Sequence, residues 1–428
     1  MALGARRRRA RLALFAATAA AAASATGGAA DCSGEGELHE RLCGAWEKAR
    51  ATGVTSPAAG PHIGREARLR RLEGPLGMVA HFTPHRASKR LLNESVLTTT
   101  QLPFDETRFH FGKVKPEELL LCFRPRREAE CQTADGQPCN APGQPELRPC
   151  DLMAEEPMSV VVNINPVCPY HVLLVPGLQE RRPQVLSEEA LAVALAFATR
   201  ASQRLRLSFN SVGAGASVNH LHWQGFFAVE SDETREWQDP ATFPFDAHVK
   251  GGGAVPAARA RGPVSLLATP DWPLPAWIFR WTELAALEED PFMAEVRLAE
   301  FAFAFISRLQ AQDIAHNIVV GAGGTQVAVF PRRILNSQGV DGGVLQVAGH
   351  EVLGWWIVPG EGDFASLDGG TAAARLSAAR LDAEFEAKVA VALQDSGWSL
   401  SRAALEQSCT AAGAAAGGAC AAPVADGR

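Results

Sequence analysis

The chain has 428 residues, 47% of them apolar and 21% charged, with a formal net charge of −6. That composition supports a sizeable core and excludes a global basic field of the kind that captures nucleic acid, so no nucleic-acid partner is expected. Outside an Ala-rich leader, no run approaches the roughly 20 apolar residues of a membrane span, so no stable membrane insertion is expected once the leader is removed.

Residues 1–30 read as a targeting segment. Arg6, Arg7, Arg8, Arg9 and Arg11 form a basic cluster, an apolar stretch from Leu12 to Ala25 follows, and it closes on Ala23-Ser24-Ala25. This is the charged, apolar and small-residue order of a secretory leader. An Arg- and Ala-rich organellar transit peptide is the rival reading. The expected compartment is the secretory pathway or a plastid, or the cytoplasm if the leader is not used.

Residues 31–75 read as an N-terminal extension with a charged helix over Glu37 to Arg50. A catalytic body is expected over 76–400, in a part from 76 to 230 and a C-terminal half from 260 to 400. Within it, 124–157 is a Pro-, Gly- and Cys-rich surface insertion. Residues 401–428 form an Ala/Gly tail of low complexity. The chain has nine cysteines and no CxxC pair, which argues against a zinc ribbon. Cys131, Cys139 and Cys150 share the insertion. They pair if the compartment oxidises and otherwise stay as thiols.

The β-branched run Met158 to Ile164 predicts a buried strand, and His171 to Val175 a second. Ser187 is placed as an N-cap, with Glu188 and Glu189 in the first turn of a helix that carries Arg200, Arg204 and Arg206 near its end. Leu207 to Val212 and Val218 to Val229 predict strands joined by a flexible Gly213 to Ala216. Phe292 to Gln312 predicts a long helix. His316 to Val320 and Thr325 to Phe330 predict a hairpin across Gly321 to Gly324. Val344 to Ala348 and Trp355 to Val358 add strand, and Ser377 to Leu393 an amphipathic helix. Strand pairs separated by helices favour an α+β fold with an antiparallel sheet flanked by helices.

The chemistry lies in residues 208–227, SFNSVGAGASVNHLHWQGFF. If the end of this segment is a strand, His220, His222 and Gln224 share one face, about 6–7 Å apart in steps of two, with Leu221 and Trp223 on the other. Such a row suits phosphoryl transfer: one imidazole attacks phosphorus while neighbouring donors neutralise the oxyanion. Gly213 and Gly215 allow close backbone approach to a ligand. The residues alone leave two other readings open, half of a metal site and a pair of satisfied polar histidines.

His-Leu-His-Trp-Gln, preceded by Asn210-Ser211 and Ser217-Val218-Asn219, resembles the HxHxQ signature of the GDP-hexose phosphorylases. These are relatives of galactose-1-phosphate uridylyltransferase in the histidine-triad superfamily. Pro103-Phe104-Asp105 with Phe109 to Val114, Val161 to Pro176, His316 to Val319, and Gly349 to Phe364 resemble further stretches of the family, in order, over about residues 70–395. The resemblance implies a histidine-triad fold and an enzyme in which His222 attacks the α-phosphorus of a GDP-hexose. Hexose 1-phosphate leaves, and inorganic phosphate then takes the guanylyl group as GDP. It implies that Gln224 holds the transferred phosphoryl group and that His220 and Asn219 orient the nucleophile. His171 is implied either to brace the site or to be structural. The resemblance also places Phe109, Phe111, Lys113, Lys89, Arg90, Asn210 and Asn317 as candidates for binding substrate. No cofactor and no metal is implied, and a homodimer is one expected assembly. GDP-L-galactose, the substrate of an ascorbate-biosynthesis enzyme, is favoured by the HxHxQ form, with GDP-D-glucose second. A nucleotide-sugar hydrolase and a non-catalytic nucleotide-binding relative are the remaining readings.

Overall fold

The computed structural model describes residues 36–63, 66–87, 97–125, 146–148, 157–228, 243–251, 255–256, 264–267, 271–281, 291–334, 346–383 and 385–389. The leader, Lys89-Arg90, the three insertion cysteines and the tail lie outside them. In chain order the described elements begin with helix α1 (Glu37–Ala51) and strands β1 (Leu69–Arg71), β2 (Val79–Phe82), β3 (Leu119–Arg124), β4 (Glu146–Arg148), β5 (Met158–Val162) and β6 (Val172–Pro176). Next come α2 (Glu188–Ala201), β7 (Arg206–Asn210), β8 (Trp223–Phe226), α3 (Pro244–Lys250), β9 (Val255–Pro256), β10 (Val264–Leu267) and β11 (Ala276–Arg280). The last are α4 (Pro291–Ala311), β12 (Ala315–Gly321), β13 (Gln326–Arg332), β14 (Trp355–Val358), α5 (Glu361–Ser366) and α6 (Gly369–Ala378).

Among the described residues, eleven strands form one sheet in the order β4-β3-β5-β6-β8-β7-β12-β13-β11-β10-β9. Neighbouring strands within it pair antiparallel, from Val160↔Leu174 at one side to Val264↔Phe279 at the other. Both faces of the central strands are covered, so β5, β7 and β12 are buried along their whole length; β5 is a near-continuous apolar run, whereas β7 and β12 also bury Arg206, Ser208, Asn210, His316 and Asn317.

On one face lie α2 and α4, which pack side by side and are tied by Arg200 Nη1 to Glu295 Oε2 at 3.1 Å. Phe279 of β11 meets Phe301 and Phe305 of α4 there, with ring centroids 5.2 and 5.9 Å apart. The alternating residues Ile278, Val319, Ala328 and Phe330 point the other way, into a second core with Trp272, Trp355 and Trp356. That core also receives a three-stranded sheet, β1-β2-β14, in which β14 runs parallel to β2. No helix among the described residues is long and apolar enough to cross a membrane.

Ser187 caps α2 as expected, its side chain accepting from Ala190 N–H at 3.2 Å. Four expected boundaries move. The α2 helix ends at Ala201, so Arg204 lies beyond it and Arg206 begins β7, where it pairs with Asp246. The strand expected over Val218 to Val229 is confined to Trp223–Phe226. Residues 346–348 of the expected Val344 to Ala348 strand are not strand. Of the helix expected over Ser377 to Leu393, residues 383 and 385–389 are helical and 379–382 are not, while Ser377 and Ala378 close a separate helix that starts at Gly369, where the Asp368 carboxylate accepts from Thr371 N–H at 2.7 Å. Cys43 and Cys122 are disulfide-bonded, whereas Cys168 is a buried free thiol.

Candidate active site

The site forms where β7 gives way to the connection that leads into β8. Asn210 closes β7, and the chain then turns through Gly213 and Gly215, both at positive φ. A Cβ on Gly215 would stand 2.6 Å from the Ala348 side chain, so the glycine serves close packing against that segment. His220 and His222 come before β8, and only Gln224 is in strand conformation. The single-face strand argument therefore needs correction: loop 181–187 replaces a neighbouring strand here. Leu221 N–H donates to Arg182 O at 2.9 Å, and His222 N–H donates to Gln184 Oε1 at 2.9 Å.

The protonation of the His222 ring follows from its neighbours. Its Nδ1 lies 2.7 Å from His220 O and 2.9 Å from Gln184 Oε1. Both are acceptors only, so Nδ1 carries the proton of the neutral ring and Nε2 keeps the lone pair. The Phe111 ring lies against His222, with centroids 4.9 Å apart.

His220 is fully buried among Phe104, His110 and Phe111. Its Nδ1 accepts from Phe111 N–H at 3.0 Å. Burial, with His222, His110 and Arg181 adding, pushes its pKa down to about 3, so it stays neutral. Its contribution is a carbonyl for His222 and a wall for the loop.

His171 and Gln224 meet across β6 and β8. His171 Nδ1 accepts from Val167 N–H at 3.1 Å, so its Nε2 is the protonated atom and donates to Gln224 Oε1 at 3.2 Å. Asn163 Nδ2, itself a donor, flanks the same nitrogen at 3.1 Å and makes no bond to it in this tautomer. The Gln224 amide is thereby oriented with its oxygen toward His171 and its NH₂ turned away. Trp46 of α1 donates to His171 O at 3.3 Å, which links the N-terminal helix to the site.

The amides of Asn219, Asn210 and Asn317 are engaged with protein groups. Asn219 Oδ1 accepts from Gln184 N–H at 2.9 Å, and its Nδ2 donates to Leu102 O and Pro103 O. Asn317 Nδ2 donates to Asn210 Oδ1 and to Ala214 O, both at 2.7 Å. Asn317 Oδ1 accepts from the buried Arg332 at 2.9 Å. Phe109 is 56% exposed beside Phe111, with centroids 5.8 Å apart. The Lys113 ammonium donates to Glu106 O and Arg108 O, which fixes its own loop. Gln184, buried and bonded to His222, is the site residue that sequence reasoning missed. It is an amide in a loop just before an N-cap, and no motif marks it.

The described residues hold no group of three or more metal-ligating side chains. Residues 37–226 match a family model described as GDPGP1-like, N-terminal domain. GDP-D-glucose phosphorylase 1 of Homo sapiens is 28% identical over 370 residues, 83% of this chain and 82% of the relative. GDP-L-galactose phosphorylase 1 of Arabidopsis thaliana is 33% identical over 157 residues, 36% of this chain. The chain spans about a third of the length of the two Arabidopsis relatives it matches. The crystal structure of yeast Ap4A phosphorylase Apa2 in complex with AMP shares the fold, with a TM-score of 0.51 and 15% identity, over 80% of this chain and 96% of that one. The chain is thus similar to a GDPGP1-like N-terminal domain over residues 37–226 and to GDP-D-glucose phosphorylase 1 over most of its length, and it shares its antiparallel α+β fold with the yeast Ap4A phosphorylase.

Proposed function

We propose that the chain catalyses phosphorolysis of a GDP-hexose through a guanylyl group carried on His222. The carrying observation is the His222 ring, whose Nδ1–H is committed to His220 O and faces Gln184 Oε1, leaving Nε2 as the lone-pair nitrogen. Nε2 attacks the α-phosphorus and forms the N–P bond. The bond from that phosphorus to the bridging oxygen breaks, and hexose 1-phosphate leaves with the electron pair. An oxygen of inorganic phosphate then attacks the same phosphorus, the N–P bond breaks, and GDP leaves. The lone pair returns to Nε2, while Nδ1 keeps its proton throughout.

Gln224 presents its NH₂ to the phosphoryl oxygens, because His171 occupies its oxygen. Exposed Phe109 and buried Phe111 supply aromatic surface for guanine. GDP-L-galactose is proposed as the preferred substrate on the strength of Gln224 in the third motif position. GDP-D-glucose is the second reading, favoured by the longer match to the human relative.

The test incubates the protein with GDP-L-galactose, GDP-D-glucose, GDP-D-mannose or UDP-glucose, with and without inorganic phosphate. GDP and GMP are followed separately. Phosphate-dependent GDP release is expected, fastest with GDP-L-galactose. GMP release indifferent to phosphate makes the chain a hydrolase, and silence on all four sugars removes the proposal.

A further inference from the structure

We propose that Gln184 is the positioning residue that aims the His222 nucleophile and steadies the charge the ring acquires, an inference that rests on the reading of His222 given above. Gln184 lies in the loop between β6 and α2 and is 1% exposed. Its amide oxygen accepts from His222 N–H and faces Nδ1, each at 2.9 Å. Its amide nitrogen donates to His222 O at 3.1 Å and to Asn210 O at 3.0 Å. One planar amide thus bonds both backbone groups of His222, as a neighbouring strand would, and reaches the ring as well. It also joins the end of β7 to the nucleophile.

The loop has little slack with which to misplace that amide. Gln184 N–H donates to Asn219 Oδ1 at 2.9 Å, and Arg182 O accepts from Leu221 N–H at 2.9 Å. The Gln310 side chain closes the far end, accepting from Leu186 N–H at 3.0 Å and donating to Leu186 O at 3.1 Å. In a five-membered ring, a fixed Nδ1 fixes the direction of the Nε2 lone pair. The held ring is therefore aimed before substrate arrives.

The same contact has a role during the reaction. As Nε2 bonds to phosphorus, positive charge spreads over the imidazole, and the Nδ1–H becomes a charge-assisted donor toward His220 O and Gln184 Oε1. Gln184 therefore acts more strongly in the transition state than in the resting complex. Its loss is predicted to appear in kcat and to leave KM nearly alone.

The test compares wild type with Gln184→Met, which keeps the length and removes the hydrogen bonds, and with Gln184→Glu as a second variant. Folding is checked by circular dichroism. Gln184→Met is expected to lower kcat by on the order of 10–100-fold with KM within about threefold. Independently of turnover, ¹⁵N-histidine NMR reads the His222 Nδ1–H, assigned with His222→Gln. Wild type is expected to show a single, exchange-protected Nδ1–H, and Gln184→Met to shift and broaden it. An unchanged kcat with an unmoved resonance overturns the proposal, as does a rise in KM alone. If neither variant folds, absence of a protected Nδ1–H in wild type overturns it. Wild type that folds, shows the held Nδ1–H and still turns over no GDP-hexose removes the function reading while the tautomer comparison continues to decide Gln184.

Discussion

The Nε2 nitrogen of His171 stands 3.2 Å from the amide oxygen of Gln224, and this contact turns the NH₂ end of the glutamine away from His171. Removing the imidazole lets the amide turn and places its oxygen toward phosphoryl oxygens that it repels. His171→Leu is expected to lower kcat about fivefold, in line with the loss of one oriented hydrogen bond of about 1 kcal/mol. Steady-state kinetics with saturating GDP-hexose checks this. An unchanged kcat shows that Gln224 needs no such orientation.

Asn317 joins β12 to β7 and to the loop before the histidines through Asn210 and Ala214, and it accepts from Arg332. Asn317→Ala strands acceptors and a donor in a site without access to water. It is expected to cost about 2–3 kcal/mol of stability. The check is the urea midpoint at constant slope. A shift within experimental error shows that the network relaxes without loss.

Acid is expected to unfold the protein early. Burial is the largest cause holding His81 and His316 down to about 4 and His220 down to about 3. An unfolded chain takes up these protons near its ordinary value of about 6.5, so below that pH the unfolded state binds more protons than the folded one. Their stabilisation is fully present above that value and is lost as the pH falls through the folded values. The urea midpoint is predicted to be flat from pH 8 to pH 7 and to fall steadily from pH 6 to pH 4. A flat profile to pH 4 contradicts the burial of these rings as neutral groups.

The cysteines are expected to behave in two classes. Reduction of the disulfides that include Cys43 and Cys122 is predicted to lower stability by about 2–4 kcal/mol for each bond. Cys168 is buried, and burial pushes its thiol up to about 12, so thiolate is scarce at pH 8. Alkylation followed by intact mass is expected to label Cys168 only after denaturant. Prompt labelling of Cys168 in the native protein contradicts this placement.

Much of the frame was legible because its signals are local. The valine run of β5, the Ser187 cap and the β12–β13 hairpin each follow from residues adjacent in sequence. The geometry of the motif was not legible. Alternation in HLHWQ suggested one strand, yet the backbone before Trp223 is held by Gln184 and Arg182 in place of a ladder. Such side-chain and loop pairing leaves no period to read. The β2–β14 pairing was hidden for a related reason, since Val79 and Trp355 meet across most of the chain. Gln184 was missed because a buried amide is identified by what it bonds, and its partners lie in β7 and the histidine segment.

The central claim is a guanylyl group on His222. The most direct measurement is intact and peptide mass spectrometry, kept out of acid, after mixing the protein with GDP-L-galactose or GDP-D-glucose in the absence of phosphate. One guanylyl adduct at His222, hexose 1-phosphate released in equal amount, and discharge to GDP on adding phosphate are predicted. His222→Gln is predicted to show none of these while still binding GDP. Phosphate-dependent GDP production without any adduct, or an equal rate in His222→Gln, contradicts the account.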